Sequence, residues 1–289
     1  MEPVDRKNVG WLNGLLGVII FSASLPATKL AVISFTPLFL TSARAVIAAC
    51  LGAACLLIFK NIRPQRRDLF SLIIVALGVV LGFPLLTALA LQHITSAHSV
   101  VFIGLLPLST SIFAVLRGGE RPKLPFWLFS CLGSAAVALF ALTHSQPGEF
   151  SGDILMTAAI LICGLGYAEG AVLSRKLGGW QVISWALLVA LPVMALIAIW
   201  KFPTSFSAVT LSAWLGLTYV SIFSMMIGFI FWYRGLALGG IAGVGQLQLL
   251  QPFMGLTLSG LLLQEQVAWG MVAIATVVVA CVAGAKRFA

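Results

Sequence analysis

Long apolar runs, separated by short stretches rich in Gly, Pro or charged residues, extend along almost the whole chain. Each run has about 20 residues, which as an α-helix is long enough to cross the ~30 Å hydrocarbon core of a bilayer. The pattern predicts an all-α integral membrane protein with ten transmembrane helices. The predicted spans are 11–32, 37–59, 69–91, 97–116, 125–142, 153–174, 181–200, 211–233, 241–263 and 267–285.

Composition excludes a soluble globular protein. Hydrophobic residues make up 61% of the chain and charged residues 9%, with a mean hydropathy of +1.10, whereas about a quarter of the residues of a soluble domain are charged. The five cysteines lie in apolar runs without CxxC spacing. We therefore expect them to be packing residues, and we expect neither a metal nor a cofactor.

The formal net charge of +9 comes from Lys and Arg residues that lie in short clusters between the apolar runs. This distribution argues for membrane topology and against a nucleic-acid partner. If the N-terminus is cytoplasmic, alternate loops place most of the 17 Lys and Arg residues on the cytoplasmic side, and only Lys201 lies in an outer loop. The charges therefore predict a multi-pass protein with both termini in the cytoplasm.

An internal repeat divides the predicted spans into two sets of five. Pro107 precedes Glu120 by thirteen residues in the fourth span, and Pro252 precedes Glu265 by the same thirteen in the ninth. The pair Gly82-Phe83 is repeated as Gly228-Phe229. We place the halves at 1–147 and 148–289. Because each half has an odd number of spans, the second enters the membrane from the opposite side, an arrangement that recurs in secondary transporters.

These segments resemble the EamA-type transporters of the drug/metabolite transporter superfamily over nearly the whole chain. The resemblance also rests on Pro26-Ala27-Thr28-Lys29 and on Thr41-Ser42-Ala43-Arg44. It implies ten helices, a bacterial inner (plasma) membrane location and export or exchange of metabolites such as amino acids, with the aromatic amino-acid exporters as the nearest analogues. The first span departs from the family, because Phe21-Ser22-Ala23-Ser24 stands where a Trp-Gly pair is common.

Three charged residues lie inside predicted spans and away from the first and last residues of those spans, and a charge costs at least about 2.5 to 3.5 kcal/mol at the helix centre. Lys29 is near the outer end of the first span and can extend to the headgroups. Arg44 is two turns inside the second span, where it either anchors helix packing or meets a cavity or an anion. Glu169 is interpreted as the only acid deep within a span, facing Arg234 or an inner vestibule, with proton coupling as a further hypothesis.

Uncharged side chains supply the other candidates for a binding cavity. Hydroxyl, imidazole and amide groups can bind the ammonium and carboxylate of a zwitterion, and aromatic rings can accommodate an apolar side chain. Interhelical hydrogen bonding and packing are the alternative roles. The candidate cavity residues are Ser24, Phe83, His98, Phe102, Tyr167, Trp232, Tyr233, Gln246 and Gln248, and the candidate hinge prolines are Pro26, Pro107 and Pro252.

The function that the sequence predicts is a secondary transporter working by alternating access around a central cavity. Its expected partners are a small-molecule substrate, amino acids including aromatic ones, and membrane lipid, with no obligate protein partner. A multidrug exporter, an exporter of nucleosides or sugar derivatives, and a gated facilitator channel remain alternatives. An enzyme is not expected, because the chain has three His residues and no HExxH or GxSxG motif.

Overall fold

The computed structural model describes residues 3–60, 62–118, 123–144, 149–286 and 288. Glu120, the acid of the first Pro-to-Glu segment, lies outside these residues. The described chain is helical and contains no strand. Its helical segments, several of them interrupted, are α1 (Pro3–Ser22 and Ser24–Val32), α2 (Pro37–Ile58), α3 (Asp68–Ala90), α4 (Ser96–Ile103 and Leu106–Gly118), α5 (Leu124–His144), α6 (Glu149–Leu177), α7 (Gly179–Trp200), α8 (Leu211–Gly239), α9 (Ile241–Gly245, Gln246–Leu250 and Gln251–Leu263) and α10 (Trp269–Lys286).

Seven helices of the described chain are long and apolar enough to cross a membrane, namely those in α1 to α4 and α6 to α8. The segments α5, α9 and α10 contain shorter apolar helices of 10–17 residues. The predicted all-helical, multi-pass membrane protein is therefore confirmed. Membrane crossing by all ten segments stays a prediction.

Short polar signals set several helix ends. Thr36, Thr95 and Thr210 are the N-cap residues of α2, α4 and α8, and each side chain accepts a hydrogen bond from a backbone N–H three residues later. Such a cap satisfies a donor that would otherwise lack a partner. The turns after α6 and α8 consist of Gly178 and Gly240, each with φ +90°, a conformation that favours glycine.

The helices pack in pairs, and each pair joins one helix from the first half of the chain to one from the second. The first helix of each half packs on the third helix of the other, so that α1 contacts α8 and α6 contacts α3. The second helices, α2 and α7, also pack together, as do the fifth helices, α5 and α10. This exchange of partners is the packing expected from two related five-helix units.

Glycines allow the crossing pairs to approach closely. A Cβ atom at Gly235 of α8 would lie 2.6 Å from the backbone nitrogen of Gly14 on α1. A Cβ atom at Gly78 of α3 would lie 2.9 Å from the Cα atom of Gly166 on α6. Since real Cβ atoms do not approach backbone this closely, a larger residue at either position would push the helices apart.

The third helix of each half contains a π-helical segment, at Ala76–Gly82 in α3 and Tyr219–Ile227 in α8. Each segment ends at a repeated Gly-Phe pair, Gly82-Phe83 or Gly228-Phe229. π-Helical turns are rare and are frequent at functional sites. The two pairs are visible in the sequence as a repeat, but the local change of helix type is not.

Candidate functional site

A cavity lies between the two halves, and α1, α2, α3, α4, α6, α8 and α9 all contribute to its lining. The volume of the cavity is about 40 Å³, which is room for only a few water molecules. A larger solute therefore requires the lining to move apart. The lining residues are Phe21, Ser22, Ser24, Leu25, Thr28, Arg44, Val79, Phe83, Pro84, Thr87, Val100, Ile103, Leu106, Tyr167, Ser224, Phe229, Gln251 and Gly255.

A polar cluster on one wall joins residues that are distant in sequence. The hydroxyls of Ser24 on α1 and Ser224 on α8 are 2.8 Å apart and share a hydrogen bond. The Nη2 atom of Arg44 on α2 donates to the Ser224 hydroxyl at 3.3 Å. Ser224 thus links the first and second helices of one half to the π-helical segment of the other. Ser224 was not among the predicted residues, because serines in apolar helices are common and give no distinctive spacing.

Arg44 is the charged member of this cluster. Its side chain is buried, with 5% of the residue exposed, and its Nε atom has no hydrogen-bond partner. No acidic residue lines the cavity as the structure describes it. The guanidinium therefore lies inside the bundle without a carboxylate to neutralise it, which is costly unless water or an anion occupies the adjacent space.

Aromatic rings supply the apolar part of the lining. Phe21 on α1 lies 5.0 Å from Phe229 and 6.4 Å from Tyr167 between ring centroids, and Tyr167 lies 5.9 Å from Phe229. Phe83 and Phe229, which follow the two π-helical segments, enter the lining from different halves. The repeated Gly-Phe pair is the sequence signal that could have identified Phe229.

Gln251 supplies an open acceptor at the start of the last part of α9. It is 6% exposed, and its Oε1 atom has no hydrogen-bond partner. Pro252 follows it directly. The cavity thus contains an unpartnered donor on Arg44 and an unpartnered acceptor on Gln251.

The three candidate hinge prolines each follow an interruption of regular α-helix. Pro26 comes three residues after the turn at Ala23, Pro107 follows the turn at 104–105, and Pro252 follows the 3-10 segment Gln246–Leu250. Proline has no N–H to donate to the preceding turn, so a break at these points loses few hydrogen bonds. Their role as hinges stays a prediction.

Of the nine predicted cavity residues, the structure brings Ser24, Phe83 and Tyr167 together in the lining, but not the four described next. His98 pairs with the Asp153 carboxylate at 2.8 Å between Nε2 and Oδ1 and stacks on Phe102. Trp232 packs on Gly17, and the Tyr233 hydroxyl donates to the Gly166 carbonyl at 3.1 Å. Those residues join helices outside the lining.

The remaining two predicted glutamines differ in what the structure shows. Gln248 is fully buried, and neither atom of its side-chain amide has a hydrogen-bond partner, but it is not part of the lining. Gln246 begins the 3-10 segment of α9, and its side chain lies outside the described part of the chain.

Lys29 binds carbonyls close to the end of a helix, and its extension to the headgroups stays a prediction. Its Nζ atom donates to the carbonyls of Leu91 and Ile94, at 2.6 and 3.1 Å, just beyond the end of α3. Carbonyls at a helix C-terminus lack intrahelical donors and carry partial negative charge, so a cation is favourable there.

Glu169 faces Arg117 and Ser71, so the predicted contact with Arg234 was wrong, whereas the alternative position at an inner vestibule stays a prediction. Its carboxylate accepts two hydrogen bonds from Arg117, at 2.8 and 3.1 Å, and one from the Ser71 hydroxyl at 2.6 Å. Glu169 is also not the only buried acid of α6, because Asp153 is 3% exposed. Asp153 was missed because α6 begins at Glu149, earlier than predicted, which places Asp153 inside the helix.

Glu265, the acid of the second Pro-to-Glu segment, caps the start of α4. Its two carboxylate oxygens accept from the backbone nitrogens of Ser96 and Ala97, at 3.0 and 2.8 Å. The carboxylate satisfies two donors of the first turn and interacts with the positive end of the helix dipole. The repeated motif thus connects α9 to the fourth helix of the other half.

Comparison with known proteins agrees with this architecture. The model of the EamA-like transporter family matches the chain twice, at residues 8–142 and 150–285. The uncharacterized transporter YdeK of Bacillus subtilis strain 168 is 61% identical over 286 residues, covering 99% of this chain and all of that protein. The uncharacterized inner membrane transporter YedA of Escherichia coli strain K12 is 24% identical over 213 residues, covering 72% and 68%.

A protein of known crystal structure shares the fold. It superposes with a TM-score of 0.69 at 22% sequence identity, over 97% of this chain and 99% of that one. Two matches to one family model, on an all-helical bundle whose halves exchange packing partners, account for the internal repeat. The chain is a member of the EamA-like transporter family, with two copies of the family's domain.

Proposed function

We propose that this transporter exports or exchanges small amphipathic metabolites, and specifically amino acids including aromatic ones, by alternating access. The observation that carries the proposal is the cavity between the two halves, which combines a polar cluster at Arg44 with the rings of Phe21, Phe83 and Tyr167. Such a lining suits a solute with one polar and one apolar end.

The proposed transport cycle uses ten membrane helices in two inverted halves, in a bacterial plasma membrane with both termini cytoplasmic. The interruptions in α1, α4 and α9 all lie next to cavity-lining residues. Movement at Pro26, Pro107 and Pro252 would widen the small cavity and open it to one side at a time.

Counterflow in liposomes tests the proposal. Purified protein is reconstituted, the vesicles are loaded with one unlabelled amino acid, and uptake of labelled amino acids, nucleosides and cationic drugs is measured. We expect saturable uptake of amino acids that is faster in loaded than in empty vesicles. Saturable uptake restricted to nucleosides or drugs, uptake that rises linearly with concentration, or no uptake at all would each overturn it.

A further inference from the structure

The cavity contains a cation, Arg44, that uses only part of its hydrogen-bonding capacity within the protein. Arg44 is 5% exposed, its Nε atom has no partner, and its one hydrogen bond goes to the neutral hydroxyl of Ser224. The buried acids of α6 are engaged elsewhere, since Glu169 binds Arg117 and Asp153 binds His98. No other charged side chain lines the described cavity.

We propose that Arg44, with the hydroxyls of Ser24 and Ser224, binds the carboxylate of the transported solute, and that the Oε1 atom of Gln251 accepts from its ammonium group. This inference rests on the proposed function and names the chemistry that its site requires. It assigns the substrates to carboxylate-bearing solutes and excludes cationic drugs and neutral nucleosides.

The number of charges favours a carboxylate over a phosphate. A guanidinium presents a planar fork of N–H donors that matches the two oxygens of one carboxylate. A phosphate monoester carries nearly two charges at neutral pH, and the described lining offers a single cation. A cationic solute would be repelled by Arg44 and would find no carboxylate in the lining.

The second free group completes the recognition of an α-amino acid. The carbonyl oxygen of the Gln251 side chain accepts hydrogen bonds only, so it suits an ammonium and not a carboxylate. The rings of Phe21, Tyr167 and Phe229 lie in the same lining and can cover an apolar side chain. Because Arg44 is charged and the Gln251 amide is neutral, removal of the solute's carboxylate should weaken binding more than removal of its ammonium group.

Ligand-induced thermal stabilisation measures binding without depending on transport. The purified protein is heated with L-phenylalanine, L-leucine, the amide of each, 3-phenylpropionate or phenyl phosphate. We expect stabilisation by the amino acids, weaker stabilisation by 3-phenylpropionate, and none by the amides or phenyl phosphate. Equal stabilisation by acids and amides, a phosphate response as large as the carboxylate response, or no response to any carboxylate would overturn the inference.

Variants of the cluster locate the effect. Arg44→Gln should lower the affinity for L-phenylalanine about 10- to 100-fold, the usual effect of losing a charge-assisted hydrogen bond. Gln251→Leu should weaken binding of L-phenylalanine but not of 3-phenylpropionate. Ser224→Ala replaces Arg44→Gln if that variant does not fold. It should lower the affinity for both L-phenylalanine and 3-phenylpropionate. Unchanged affinity in Arg44→Gln, or equal losses for both ligands in Gln251→Leu, would contradict the assigned roles.

Ser42→Ala is the matched control for these variants. Ser42 is buried on the same helix, bonds only the carbonyls of Leu38 and Phe39, and does not line the cavity. It should bind L-phenylalanine as the wild type does. Carboxylate-dependent stabilisation without counterflow would support the binding site and overturn the proposed transport function. Equal counterflow of amides and acids would support transport and overturn the carboxylate site.

Discussion

Some buried polar side chains in this bundle connect two helices, whereas others have an unpartnered atom and line the cavity. Glu169 is of the first kind, because its carboxylate accepts three hydrogen bonds from Arg117 and Ser71. Arg44 and Gln251 are of the second kind, since each has an unpartnered atom and lines the cavity. A buried polar group without a partner costs free energy, so the open groups are those that a solute is expected to satisfy.

Glu169→Gln should lower the free energy of unfolding by about 1 to 3 kcal/mol, toward the lower value because the Arg117 side chain is 43% exposed. The dependence of transport on a proton gradient should not change, because Glu169 does not line the cavity. Thermal denaturation and transport with and without a gradient measure the two effects.

The control for Glu169 is Arg175→Gln, an exposed position on the same helix, which should leave the melting temperature almost unchanged. Loss of gradient dependence in Glu169→Gln would show that this carboxylate couples transport to protons.

At the scale of elements, close helix contact and interrupted helices occur in the same segments. The packed pairs α1 with α8 and α3 with α6 contain the glycine contacts, while α1, α3 and α8 also contain a turn or a π-helical segment. The close contacts hold the pairs together, and the interruptions place Ser24, Phe83 and Phe229 at the cavity.

The prediction at this scale is that Gly235→Ala destabilises the protein. The added methyl group would lie 2.6 Å from the Gly14 nitrogen, and overpacking of this kind costs about 1 to 3 kcal/mol. Gly245→Ala is the matched control, because no atom apart from its chain neighbours and the backbone of its own helix lies within 4 Å of the added group, and alanine favours helix over glycine. Equal melting temperatures for the two variants would contradict the packing argument.

At the scale of the whole molecule, two copies of one family domain pack so that each contributes to a common cavity. Arg44, Phe83 and Ser24 come from the first copy, and Tyr167, Phe229 and Gln251 from the second. Relative movement of the copies would therefore change the cavity from both sides at once, as the proposed alternating access requires.

The prediction for the whole molecule is its orientation. A green fluorescent protein fused after Ala289 should fluoresce, and alkaline phosphatase fused there should be inactive, because that enzyme needs disulfides formed outside the cytoplasm. Phosphatase inserted at 204–207, in the predicted outer loop after α7, should be active. The opposite pattern of activities would contradict the orientation predicted from the Lys and Arg clusters.

Hydropathy and the repeat were enough to predict helical membrane segments, their approximate positions and a two-copy organisation, because backbone in lipid must satisfy its own hydrogen bonds. They could not predict which polar residues meet. Ser24 and Ser224 are 200 residues apart, and their hydroxyls form a hydrogen bond at 2.8 Å. The contact between His98 and Asp153 was not predicted either. Lipid-facing and protein-facing surfaces of these helices are equally apolar, so only the tertiary packing decides which faces turn inward.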